Sequence, residues 1–156
     1  MKEKTVCFTG HRDIPENELD AVTARLKRCL YNLANEGYDT FCAGGALGFD
    51  TLAAETVLAL KTVYPQVRLH LILPCKNQTR GWQSDAAQRY EELLQQADAV
   101  TYTAETYHRG CMHLRNRRLV EESSVCVCYL TKPTGGTAYT VDYARKHGLR
   151  LFNVGE

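Results

Sequence analysis

The sequence predicts an α/β fold, a Rossmann-like doubly wound and mainly parallel sheet with helices on both faces. Three observations predict it. Short apolar runs of strand length alternate with longer segments whose apolar residues recur at helical spacing. Glycine clusters fall where strands hand over to helices, at Gly10, at Gly44–Gly48 and at Gly135–Gly136. No repeat, low-complexity stretch or linker interrupts the alternation over 156 residues, a length that suits one domain, residues 1–156.

Each element has its own signal. Thr5–Thr9 is a short strand-like run closed by Gly10, and Glu16–Glu36 places Leu19, Val22, Leu26, Leu30 and Leu33 on one helix face before stopping at Gly37. Asp39–Ala43 is a second strand, and Thr51–Val63 a second helix with Asp50 in the position of an N-cap. Val67–Leu73 is a third strand ending at Pro74, and Cys75–Ser84 is a polar loop holding the single tryptophan, Trp82. Asp85–Gln96 reads as a third helix and Ala99–Thr103 as a fourth strand. His113–Glu122 is a fourth helix that begins after Gly110; Ser124–Leu130, Ala138–Lys146 and Leu149–Asn153 complete the series as strand, helix and strand. The glycine turns after the first, second and fifth strands then fall on the carboxyl edge of the sheet, where open α/β folds bind ligands at the topological switch point.

Composition narrows the function. A formal net charge of +1 argues against a general nucleic-acid binder. No segment is long and apolar enough to span a membrane. The start Met1-Lys2-Glu3-Lys4 runs straight into a strand without a secretory apolar region. Seven cysteines, an odd number scattered among hydrophobic runs, read mostly as small buried side chains in a reducing cytoplasm. No Cys-x-x-Cys or His-Glu-x-x-His occurs, and Cys126-x-Cys128 lies within a strand, so no metal site is expected.

The glycine turns carry the chemistry. A helix start adds unpaired N–H groups and a partial positive charge to a turn whose backbone glycine leaves uncovered, which suits an anion such as phosphate. Gly44-Gly45-Ala46-Leu47-Gly48 lacks the Lys-Ser/Thr of a Walker A loop, and Gly10-His11-Arg12 lacks the dinucleotide fingerprint. Arg12 offers a planar fork of donors for phosphate, and His11 a donor to phosphate or ribose; the plainer reading is a surface turn with Arg12 paired to Asp13. Asp50 repels phosphate at a helix start and competes for the same N–H groups, so it reads either as a cap or as an acceptor from ribose hydroxyls. Thr134-Gly135-Gly136-Thr137, with Thr140 one turn on, is a second cradle or simply a tight connection. Arg115 and Asn116, near the start of the fourth helix, lie within reach of the same edge. Gln78 and Trp82 are placed to read and stack a base, or to anchor their long loop.

With these residues in view, the chain resembles the YpsA-like family of small bacterial proteins in the SLOG superfamily. The resemblance rests on Cys7-Phe8-Thr9-Gly10-His11-Arg12, Gly44-Gly45-Ala46-Leu47-Gly48-Phe49-Asp50, Leu73-Pro74-Cys75 with Gln78 and Trp82, Cys111-Met112 with Arg115-Asn116, and Gly135-Gly136-Thr137. It implies a Rossmann-like fold and a small nucleotide-derived ligand, such as a nucleotide or an ADP-ribose-like molecule, with no required cofactor; it also allows a homodimer.

Two relatives within that superfamily sharpen the choice. Met112-His113-Leu114-Arg115-Asn116 is similar to the Met-His-Glu-Arg-Lys segment of the LOG phosphoribohydrolases, and Gly136-Thr137 to the Gly-Thr of their glycine loop. The position of that loop's glutamate is held here by Thr140. Glycosidic cleavage needs a carboxylate to stabilise positive charge on the sugar or to activate water, which threonine does not supply. The resemblance therefore implies binding without LOG-type cleavage unless Asp50 or another carboxylate substitutes, Asp50 and Arg115 being the candidate catalytic residues. Ala46-Leu47-Gly48-Phe49-Asp50 is similar to a segment of the DprA/Smf family, but Leu47 replaces its basic residue, which weakens a DNA-binding reading. The sequence thus leads to a nucleotide or nucleotide-sugar binding domain, with an N-glycosidic hydrolase and a DNA-associated module as alternatives.

Overall fold

The chain alternates strand and helix throughout. The computed structural model describes residues 2–156. After a single 3₁₀ turn at Lys2–Lys4 come β1 (Thr5–Gly10), α1 (Glu16–Asn35), β2 (Thr40–Ala43), α2 (Phe49–Lys61), β3 (Arg68–Leu73) and α3 (Ser84–Gln96). The second half holds β4 (Ala99–Tyr102), α4 (Cys111–Glu121), β5 (Val125–Tyr129), α5 (Gly136–Lys146) and β6 (Arg150–Asn153). All pairings are parallel, in the order β4-β3-β2-β1-β5-β6. The chain builds outward from β1 through β2, β3 and β4, then crosses back to place β5 on the other side of β1. The switch point lies between β1 and β5, whose register runs from Val6↔Val125 to Gly10↔Tyr129.

A parallel sheet is covered on both faces, so its strands read as unbroken apolar runs, and the period-2 alternation decides which layer each residue joins. Val6, Phe8, Phe41, Ala43, Leu69, Leu71, Val125 and Val127 pack under α1, α2 and α3. Cys7, Cys42, Ile72, Cys126 and Cys128 point the other way, against Leu119 and Val120 of α4 and Val141 and Ala144 of α5. Six of the seven cysteines are buried and all seven are free, in keeping with small core side chains.

Both helices of the second half start two residues earlier than the sequence pattern indicates. α5 begins at Gly136 rather than Ala138, since glycine gives no propensity signal for a helix start, and α4 begins at Cys111, directly after the left-handed Gly110. The third difference is a correction. Asp50 is not the N-cap of α2: Gly48, at φ 79°, takes that place, and Asp50 lies inside the first turn. The chain turns two residues sooner than a cap at Asp50 would have it, and the Asp50 carboxyl reaches back to the preceding loop instead.

Candidate ligand site at the switch point of the sheet

The carboxyl end of β1, the β2–α2 junction and the starts of α4 and α5 form a cavity of about 300 Å³. It is lined by Thr9, Gly10, His11 and Arg12 from the first strand and its loop, and by Ala46 and Asp50 from the β2–α2 junction. Met112, Arg115 and Asn116 of α4, with Gly136 and Thr137 of α5, complete it. Eight sequence-predicted residues therefore meet: Gly10, His11, Arg12, Asp50, Arg115, Asn116, Gly136 and Thr137. Thr9, Ala46 and Met112 were not singled out as ligand residues, although each neighbours a residue that was.

The glycines of the β2–α2 turn work underneath the cavity. A side chain at Gly44 would run into the Arg115 guanidinium and Asp50 Oδ2, so bare backbone is what lets these two charged groups close over the turn. A side chain at Gly48 would overlap the backbone carbonyl of Arg12, and the positive φ there suits glycine alone. Phe49 N–H donates to the His11 carbonyl at 3.2 Å, locking the same crossing of the two loops.

The charged groups are held firmly. Arg115 is 4 % exposed; its guanidinium donates to the Gly44 carbonyl and, through Nε, to Asn116 Oδ1 at 2.7 Å. Asp50 is 6 % exposed, and its Oδ2 accepts the Ala46 N–H at 3.2 Å. Burial pushes the Asp50 carboxyl above its ordinary range, against the opposing pull of Arg115, the Ala46 N–H and Arg12. Burial also pulls Arg115 downward, opposed first by Asp50. His11 Nε2 accepts N–H groups from Thr131 at 2.9 Å and Lys132 at 3.3 Å.

The two helix starts differ. At α2 the Asp50 carboxyl holds the Ala46 N–H of the preceding loop and the His11 carbonyl takes the Phe49 N–H, while the Asp50 and Thr51 N–H groups have no acceptor among the described hydrogen bonds. At α5 no side chain caps the helix, and the N–H groups of Gly136 and Thr137 have no acceptor among the described hydrogen bonds. The open positive end of a helix thus faces the cavity at α5.

The remaining sequence-predicted residues lie outside the lining. Gln78 donates to the Gly45 carbonyl at 2.8 Å, and its buried Oε1 has no partner among the described residues. Trp82 stands edge-on to Tyr90 at 5.4 Å between ring centres, so this loop braces the β2–α2 turn from behind. Thr140 donates its hydroxyl to the Gly136 carbonyl at 2.9 Å, and Gly135 is exposed at the helix cap. Asp142 is directed outward, paired with Lys146 at 3.0 Å. Among the described residues no group of three or more His, Cys, Asp or Glu side chains is placed to hold a metal ion. A second cavity of about 450 Å³ lies across Arg12, between α1, α2 and α3, with Ile14, Leu19, Leu47 and Leu52 in its walls.

The YpsA family model, described as the YspA SLOG family, matches residues 7–151. A UPF0398 protein of Bacillus thuringiensis (strain Al Hakam) is 27 % identical over 155 residues, covering 93 % of this chain and 84 % of its own. Among solved structures, DNA processing protein A from Helicobacter pylori, described for its single-stranded DNA binding mode, superposes with a TM-score of 0.70 at 19 % identity. DNA processing protein A from Streptococcus pneumoniae gives 0.67 at 15 %. Both cover 96 % of this chain, which spans 64 % of the first and 49 % of the second. At such identities the likeness is one of fold.

Proposed function

Because the chain belongs to the YspA SLOG family, with the match running over residues 7–151, we propose that the cavity at the switch point binds a small phosphorylated ligand of the nucleotide or nucleotide-sugar class. The observation that carries this reading is the uncapped first turn of α5, whose Gly136 and Thr137 line a cavity that also holds Arg12 and Arg115, whereas the first turn of α2 carries the Asp50 carboxyl. A phosphate at α5 gains the Gly136 and Thr137 N–H groups and the helix dipole, with Arg12 as the exposed partner charge. Asp50 is the one carboxyl among the lining residues. It serves as an acceptor for sugar hydroxyls.

Binding is favoured over cleavage because glycosidic cleavage needs a carboxylate to stabilise positive charge on the sugar or to activate water, and the position of the LOG glutamate is held by Thr140. Thr140 holds its hydroxyl on the Gly136 carbonyl and offers no substitute. The neighbouring cavity beyond Arg12 gives room for a ligand longer than a mononucleotide, such as ADP-ribose.

A thermal-shift panel of AMP, other monophosphates, ADP-ribose, NAD and a single-stranded oligonucleotide tests the reading. A ligand at about 100 times its dissociation constant stabilises by about 2.7 kcal/mol, roughly 5–10 °C for a chain of this size. The expected result is a shift with at least one nucleotide and recovery of that nucleotide intact. Free base appearing on incubation, and lost in Asp50→Asn, would turn the reading into that of a hydrolase. A shift with oligonucleotide alone would favour a DNA-associated module, and none at all would end the nucleotide reading.

A further inference from the structure

His11 fastens three loops. Its N–H donates to the Tyr129 carbonyl at the end of β5, at 3.3 Å, and its carbonyl accepts the Phe49 N–H at the start of α2. Its ring stands edge-on to Tyr129 at 5.8 Å between ring centres. Its Nε2 meets the N–H groups of Thr131 and Lys132, the second and third residues of the six-residue connection from β5 to α5. A nitrogen that accepts from two amides carries no proton, so the imidazole is neutral and its hydrogen sits on Nδ1.

We propose that His11 is a positioning residue, a neutral latch whose Nε2 holds the β5–α5 loop against the end of β1 and so fixes the open first turn of α5 at the cavity. Protonation sets an N–H against two N–H groups, and the latch opens. The titratable and charged groups around the ring are Tyr129 of β5, Lys132 on the latched loop, Arg12 and Asp13 on its own loop, Glu18 of α1, and Asp50 and Arg115, which share its cavity. Burial and then Lys132 lower its proton affinity from the ordinary value of 6.5. The folded chain therefore binds this proton less readily than the unfolded one. The stability the latch contributes is complete above about pH 6.5 and is lost as the pH falls through the lower folded value.

The consequence for binding rests on the phosphate reading, but the latch belongs to the ligand-free chain and is tested there. Imidazole ¹⁵N NMR of the full chain without ligand is expected to show His11 as the neutral Nδ1–H tautomer at pH 7.5. On acidification the Thr131 and Lys132 amide resonances move with the His11 midpoint, below 6.5. An Nε2–H tautomer, an imidazolium at pH 7.5, or amides that do not follow the ring would overturn the proposal. Two variants separate latch from ligand contact, because the Gln carbonyl replaces Nε2 whereas Asn replaces only Nδ1. His11→Gln is expected to keep AMP binding within about threefold, and His11→Asn to lose about tenfold, the worth of one hydrogen bond. Equal losses would also overturn the positioning role. If AMP fails to bind the wild-type chain, the nucleotide reading falls while the NMR result still decides the latch.

Discussion

The Asp50 carboxyl and the Arg115 guanidinium influence each other's charge, yet each directs its hydrogen bonds elsewhere, Asp50 to the Ala46 N–H and Arg115 to the Gly44 carbonyl and Asn116. Burial outweighs the attraction, so the folded chain favours a proton on Asp50 more than the unfolded chain does. A carboxyl raised in this way costs stability once the pH exceeds its unfolded value, and the cost grows until the folded value is passed. Asp50→Asn is therefore expected to melt higher than wild type at pH 7.5, and the gap to close as the pH falls through the carboxylate range. On the proposed function the same variant also gives up the carboxyl that accepts sugar hydroxyls, a trade of function for stability typical of ligand sites. A variant that melts lower at every pH would show that Asp50 is needed, charged, to hold Arg115. Spacing in the sequence brought Asp50 and Arg115 to one sheet edge. It held no trace of the Asp50–Ala46 bond, because that bond depends on the turn Gly48 makes.

At the scale of elements, the glycine turns divide into two kinds. Gly48 has a positive φ and no space for a side chain beside the Arg12 carbonyl, whereas Gly136 starts a helix with open space around it. Gly48→Ala combines backbone strain with overpacking and is expected to cost about 3 kcal/mol. Gly136→Ala is expected to leave stability unchanged or raise it by up to about 1 kcal/mol, as alanine favours helix. Denaturant unfolding of the two variants checks this. Similar losses in both would mean that the α5 turn is as tightly built as the β2–α2 turn. The sequence marked both turns with glycine, which reports only that a side chain is unwelcome; whether backbone or ligand needs the room is decided by what stands opposite. Gln78 and Trp82 show the same limit, since their loop folds behind the cradle, against Gly45 and Tyr90, and only tertiary packing tells that face from the other.

For the whole molecule, strand order turns a set of local motifs into a site. With β1 central and β5 recrossing to its far side, the loops after β1, β2 and β5 meet although their glycines are far apart in sequence. Alternation of strand and helix made this legible, because parallel connections leave every strand pointing its carboxyl end to one edge. The open start of α5 was less legible, since Gly136 carries no helical signal and its partner in holding the loop, His11, lies more than a hundred residues away. The central claim is that phosphate is received by the first turn of α5 rather than by the β2–α2 turn. An amide NMR titration with AMP tests it most directly. The account predicts that the Gly136 and Thr137 amides show the largest shifts and saturate together with those of Arg12. Largest shifts at Gly44–Gly48 with Gly136 and Thr137 unmoved, or no saturable shift at millimolar AMP, would contradict it.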